Sequence, residues 1–183
     1  MFLAPAGATK PRAAFTLLEL LAVLALIAVL TGLVLGGGRY ANEHGRTARA
    51  KAELAALSAA LEAYQRAYGD YPQTDDEARL LQSLLGRRGP LGATVAGRPL
   101  IETVKFTTAD AHDPFIDATA VLADPWGRAY VYAYKVPAVG WSNPGYVLYS
   151  PGPDGKESGA LLPGGLVDST SPENADNLYA NRP

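Results

Sequence analysis

The chain has 183 residues, a formal net charge of −2 and no cysteine. Near-neutral charge without a basic stripe gives no electrostatic footprint for nucleic acid. The missing thiols exclude disulfides, thiolate metal sites and a cysteine nucleophile.

A run from Phe15 to Leu35 is apolar except for Glu19, and a short polar leader holding Lys10 and Arg12 precedes it. At 1.5 Å rise per residue, about 20 helical residues cross a hydrocarbon core of roughly 30 Å, so the run is long enough to span a bilayer. It exceeds the apolar core of a removable secretory signal, which is about 7–15 residues. Glu19 calls for a partner, because a charge costs about 2.5–3.5 kcal/mol at the centre of a membrane helix and less near its end. Flanking charge leaves orientation open, since Lys10 and Arg12 are balanced by Arg39, Arg46, Arg49 and Lys51 on the other side. The junction Ala14-Phe15-Thr16-Leu17-Leu18-Glu19 resembles the processing site of type IV pilins and pseudopilins. That resemblance implies a cut between Ala14 and Phe15 by a prepilin peptidase on the cytoplasmic side, followed by methylation of the new Phe15 amine. Alanine stands before the cut where the family usually has glycine. A cationic amine in an apolar layer is neutralised by a carboxylate four residues on, in the same chain or a neighbour. Glu19 and Thr16 are therefore the expected assembly residues. The competing reading is an ordinary single-pass anchor with Glu19 at the lipid interface.

Gly36-Gly37-Gly38 is the weak point in what reads as continued helix, each glycine costing roughly 1 kcal/mol relative to alanine. It reads either as a place where the helix unwinds in a filament or as a glycine cluster at the interface. From Thr47 to Tyr68, Leu54, Leu57, Leu61, Tyr64 and Tyr68 recur at three- and four-residue steps and form one core-facing stripe. Lys51, Glu53, Glu62 and Arg66 are expected on other faces, with Glu62 and Arg66 as an i,i+4 pair. Gly69-Asp70-Tyr71-Pro72 ends the helix. Thr74-Asp75-Asp76-Glu77 has capping-box spacing for a second helix through Leu80, Leu81, Leu84 and Leu85 to Gly86.

Ile101 to Thr107 alternates as a strand, and Asp110, His112, Asp113 and Asp117 form a polar loop better read as solvated than as a metal site. Asp124-Pro125-Trp126-Gly127 suits a type I turn. Tyr130, Tyr132 and Tyr134 then alternate with Ala129, Val131 and Ala133 as a strand. After a break from Pro137 to Gly145, Tyr146-Val147-Leu148-Tyr149 is its partner, leading to Ser150-Pro151-Gly152-Pro153-Asp154-Gly155. An Asp-Pro-Trp-Gly turn, a tyrosine-rich strand and a Ser-x-Gly-x-Asp-Gly loop, in this order after a prepilin anchor, resemble the major pseudopilin of type II secretion systems. In that family the loop binds calcium, which implies Asp154 as a ligand, with Asn174 and Asp176 from Glu173-Asn174-Ala175-Asp176-Asn177 beyond an insertion from Ala160 to Ser171. A hard cation takes several oxygens from carboxylates and carbonyls on such a segment, and a tail without cysteine needs a staple. The alternative is a loop whose acids are simply solvated. Ser58, Ser83 and Ser142 lack a nucleophile-elbow context, and neither His44 nor His112 pairs with a serine, so no catalytic residue is named.

The reading is an α+β, pilin-like chain: a leader over 1–14, a polymerisation helix over 15–38, and a periplasmic domain over 39–183. Within that domain a helix is expected to about residue 68, a short helix at about 75–85, a sheet at about 101–149 and a loop-rich tail over 150–183. The resemblance implies a structural subunit, not an enzyme, in the inner membrane of a bacterium. Its implied partners are copies of itself, minor pseudopilins, the prepilin peptidase and the inner-membrane assembly platform. A type IV pilin for adhesion, motility or DNA uptake, and a membrane-tethered binding module that never polymerises, are the alternatives.

Overall fold

The computed structural model describes residues 16–109, 112–135, 145–159, 161–162 and 164–180, leaving aside the side chains of 34–39. The expected leader, Ala14 and Phe15 lie outside the described residues, as do Asp110, Ser142 and most of the expected break after Pro137. The chain divides into two compact units, Met1–Asn42 and Glu43–Pro183.

In the first unit, helix α1 (Leu17–Tyr68) begins with residues that bury nothing. Leu17, Leu24 and Leu33 are 80%, 59% and 69% exposed, and the residues between them are exposed on every side. A helix that is apolar all round belongs in lipid or among other helices. Taken alone, the described residues contain no helix long and apolar enough to cross a membrane, and their apolar stretch runs from Leu17 to Leu33. α1 continues across 36–38 without a break.

In the second unit α1 presents the expected stripe. Leu54, Leu57, Leu61 and Tyr64 are buried, while Tyr68 is half-buried with its ring 4.6 Å from that of Tyr64. Each fully buried leucine contributes about 1.5–3 kcal/mol. Two charged residues depart from expectation. Glu53 is buried rather than turned outward, because Tyr130 Oη donates to it at 2.6 Å and Arg49 Nε at 2.7 Å. Glu62 accepts from Tyr71 Oη at 2.7 Å, and no Glu62–Arg66 ion pair forms among the described residues.

Helix α2 (Glu77–Leu84) is capped by Asp76, whose carboxylate accepts from Arg79 N at 3.0 Å. Thr74, the first residue of the capping-box spacing, instead accepts from Asp76 N at 3.0 Å and fixes the turn before the cap. The expected strand from Ile101 to Thr107 is a short 3₁₀ turn at Thr103–Lys105, followed by β1 (Thr107–Thr108). β1 pairs antiparallel with β2 (Leu122–Ala123). Ile101 is buried but Val104 is 91% exposed, so the apolar alternation did not mark a pleated face.

The main sheet is three-stranded and antiparallel, ordered β3 (Val131–Tyr134), β4 (Tyr146–Ser150), β7 (Leu178–Tyr179). Tyr132 pairs with Leu148, and Ser150 with Leu178. The third strand comes from the segment expected to be loop. β5 (Leu161–Leu162) and β6 (Leu166–Val167) form a separate hairpin inside the expected insertion. β4, with a neighbour on each side, is buried throughout.

The core between α1, α2 and this sheet is rich in tyrosine, and the hydroxyls tie the elements together. Tyr130 reaches Glu53, Tyr132 donates to Pro72 O at 2.9 Å, and Tyr134 donates to Asp70 at 2.6 Å. Burial alone raises the Asp70 carboxyl, but hydrogen bonds from Tyr134, Tyr71 N and Gln73 outweigh it and hold the group below the usual range. Burial and the Glu53 carboxylate push the Tyr130 phenol far up, so it stays a donor. Replacing Tyr130 with Phe removes a donor from a buried carboxylate, which costs about 1–3 kcal/mol. Urea unfolding of the full chain is expected to show a lower midpoint with an unchanged slope.

Candidate functional site

Two places carry chemistry. The first is the start of α1. Thr16 N and Thr16 Oγ1 donate to Glu19 Oε2 at 3.0 and 2.8 Å, and Glu19 N donates to Thr16 Oγ1 at 3.2 Å. This is a reciprocal capping box. The carboxylate sits at the positive end of the helix, where the first amides lack partners. The Thr-x-x-Glu spacing before an apolar run was the available signal, and the sequence reading used Glu19 for the Phe15 amine alone. The carboxylate faces the backbone nitrogen of residue 16.

The second place joins the Asp-Pro-Trp-Gly turn to the Ser-x-Gly-x-Asp-Gly loop. The turn closes with Gly127 N donating to Asp124 O at 2.9 Å. Asp124 is 2% exposed. Its Oδ1 accepts from Trp126 N at 3.0 Å and Arg128 N at 2.9 Å, and its Oδ2 accepts from Ser150 Oγ at 2.6 Å. Ser150 Oγ in turn accepts from Gly152 N at 3.1 Å. Arg128 donates to Gly152 O at 2.6 Å and Pro153 O at 3.2 Å. Sequence order suggested that the two motifs belong together; Asp124 and Arg128 are the groups that bind them, and Arg128 was missed because its partners are carbonyls. Trp126 Nε1 donates to Glu43 at 2.9 Å and ties the turn to α1.

Both glycines of the loop take a positive φ that favours glycine, and at Gly152 close approach of backbone adds to it. At Gly152 (φ +72°) a Cβ would lie 2.3 Å from Asp176 O, and at Gly155 (φ +67°) it would lie 2.0 Å from Arg128 Nε. The loop is thus pressed against both the returning tail and the turn. Asp154 and Asp176 meet there, with Asp154 N donating to Asp176 Oδ2 at 2.9 Å. Asp154 Oδ1 accepts from Lys156 N at 2.8 Å. Asp176 Oδ1 is buried and has no hydrogen-bond partner among the described residues. A buried carboxylate oxygen without a donor is costly, and a hard cation would satisfy it, so Asp176 fits the calcium that the resemblance implies.

Asn174, the other expected ligand, is hydrogen-bonded to the inserted segment. Its Oδ1 accepts from Ser158 N at 3.0 Å, and its Nδ2 donates to Ser158 Oγ and Asp168 O, each at 2.8 Å. It closes the base of the β5–β6 hairpin, which explains its burial. At the far side of that hairpin the Thr170 hydroxyl and amide hold the Asp168 carboxyl below the usual range. Tyr149 Oη donates to Glu157 at 2.5 Å, and burial together with that carboxylate pushes the phenol up. Elsewhere, His112 pairs with Asp117 at 2.7 Å. Among the described residues no three His, Asp or Glu side chains are grouped to hold a metal ion. A cation at Asp154 and Asp176 would therefore need most of its ligands from neutral oxygens.

An apolar helix that starts at a Thr-Glu box, carrying a tyrosine-cored α+β domain, defines a pilin-like subunit. Residues 9–35 match the family described as Prokaryotic N-terminal methylation motif, and residues 98–164 match Type II secretion system (T2SS), protein G. The chain is 30% identical over 155 residues to the type II secretion system core protein G of Escherichia coli strain K12, covering 81% of this chain and 87% of the relative. It is 28% identical over 151 residues to the protein of the same description from Pseudomonas aeruginosa, covering 82% and 90%. No solved structure matches. The chain belongs to the type II secretion system core protein G family and is a structural subunit of the pseudopilus.

Ser150→Ala leaves Asp124 Oδ2 buried without a donor and frees Gly152 N. Limited proteolysis of the full chain is expected to cut within 151–159 faster than in the parent, with a stability loss of about 1–3 kcal/mol.

Proposed function

We propose that the chain is cut between Ala14 and Phe15, methylated on the Phe15 amine, and stored in the inner membrane with its carboxy-terminal unit in the periplasm. From there it polymerises through the apolar part of α1 into a filament that pushes folded proteins outward. Its partners in this reading are copies of itself, minor pseudopilins, the prepilin peptidase and the assembly platform. Calcium held by Asp154 and Asp176 staples the tail in place of a disulfide. The observation that carries the reading is the exposure of Leu17 to Leu33 on every side, while the second unit buries its own face of α1. Such a surface is stable only against lipid or other helices.

Assembly then needs a handover at Glu19. In a single chain the carboxylate serves the Thr16 box. In a filament it also neutralises a Phe15 amine, of its own chain or its neighbour, which removes the cost of an isolated charge in an apolar layer. Glu19→Ala is expected to insert into the membrane at parental levels, form no filaments and leave exported proteins in the periplasm of a deletion strain. Thr16→Ser, which keeps the box, is expected to retain secretion. Normal filaments from Glu19→Ala would refute this mechanism and favour a simple tether.

A further inference from the structure

Asn177 is a polar side chain buried to 5% exposure, immediately after Asp176. Its carboxamide is surrounded by three oxygens. In one orientation Nδ2 donates to Asn174 Oδ1 at 3.1 Å, and Oδ1 then faces Pro151 O at 3.0 Å and Lys156 O at 3.2 Å with no proton between them. Turned over, Nδ2 donates to Pro151 O and Lys156 O, and Oδ1 faces Asn174 Oδ1 at 3.1 Å instead. Asn174 cannot turn to relieve that contact, because Ser158 N at 3.0 Å and Asp168 O at 2.8 Å fix which of its atoms is oxygen. Either way one oxygen too many is present, and a buried acceptor without a donor is costly.

We propose that Asn177 Oδ1 is a ligand of the cation bound at this loop, together with Pro151 O and Lys156 O, and that the carboxamide turns over when the cation leaves. The inference rests on the calcium reading given above and adds to it the chain's own third side-chain donor. Calcium takes six to eight oxygens at about 2.3–2.6 Å, which places neighbouring ligand oxygens about 2.8–3.4 Å apart. The separations of 3.0 and 3.2 Å fall in that range. Asp176, the neighbour in sequence, has a buried Oδ1 with no hydrogen-bond partner among the described residues and is the carboxylate assigned to the same cation. Without a cation the turned-over carboxamide donates to the same two carbonyls and keeps the loop closed. Asn174, the amide expected from sequence to ligate, holds the hairpin base and fixes the polarity of Asn177.

The test is titration of CaCl2 alone into the chelator-treated full chain in detergent, followed by calorimetry, for the parent, Asn177→Leu and Asn177→Asp. Leucine keeps the branching and the number of heavy atoms and removes the oxygen, and is expected to weaken binding at least tenfold. Aspartate supplies a charged oxygen at the same place and is expected to bind at least as tightly as the parent. A parent that binds calcium with a leucine variant weakened less than tenfold overturns the role of Asn177 and leaves the calcium reading standing. A parent that binds no calcium overturns both. Should Asn177→Leu fail to fold, Asn177→Asp decides alone, and a variant weaker than the parent overturns the proposal.

Discussion

One helix has to satisfy two solvents. From Leu17 to Leu33, α1 offers apolar side chains in every direction. From Ala50 to Tyr64 it buries a single face under the chain's own sheet. The first part cannot be stable in water alone, and the second cannot be stable without the domain built on it. Membrane storage and assembly follow from the first part. The tyrosine hydroxyls, the buried Glu53 and the three-stranded sheet follow from the second.

The domain meets its side of that constraint mainly with polar groups placed at apolar interfaces. Glu53 is tolerated because Tyr130 and Arg49 both donate to it. Asp124 is tolerated because it collects two amides of its own turn and the hydroxyl of Ser150. Each arrangement joins segments far apart in sequence, so a carboxylate that would be a burden in a dry core fixes the register instead. The same logic extends to the tail. β7 pairs with the central strand, the glycines of the loop admit the backbone of Asp176 and the side chain of Arg128, and Asn174 closes the inserted hairpin.

Much of this was legible from the sequence, for identifiable reasons. The stripe Leu54, Leu57, Leu61, Tyr64 follows helical spacing, and the strand at Tyr130 to Tyr134 follows alternation, so both emerged as expected. The Asp154 backbone amide meets the Asp176 carboxylate. The reading stopped where partners are distant or are backbone atoms. Nothing local marks Glu53 as buried, since its donor is the hydroxyl of Tyr130. Leu178 and Tyr179 form a two-residue strand, too short for any period to register. Ile101 to Thr107 had the right alternation, but only a partner strand makes a strand, and β1 finds one only at Thr107 and Thr108. Asn174 and Asn177 look interchangeable in sequence; their contacts divide them between closure of the hairpin and the carbonyls of the loop at Pro151 and Lys156.

The family membership makes the chain a pseudopilus subunit, and the geometry says why the first turn of α1 matters to that role. Thr16 and Glu19 hold a carboxylate at the very start of the apolar helix, and in the proposed mechanism an amine created at Phe15 would complete the charge balance. In the proposed mechanism the packing of copies depends on that amine, whereas insertion depends on the apolar run alone. The most direct measurement is the intact mass of the protein extracted from membranes. The account predicts a chain that begins at Phe15 and carries one added methyl group. A functional protein whose mass still includes residues 1–14 contradicts it.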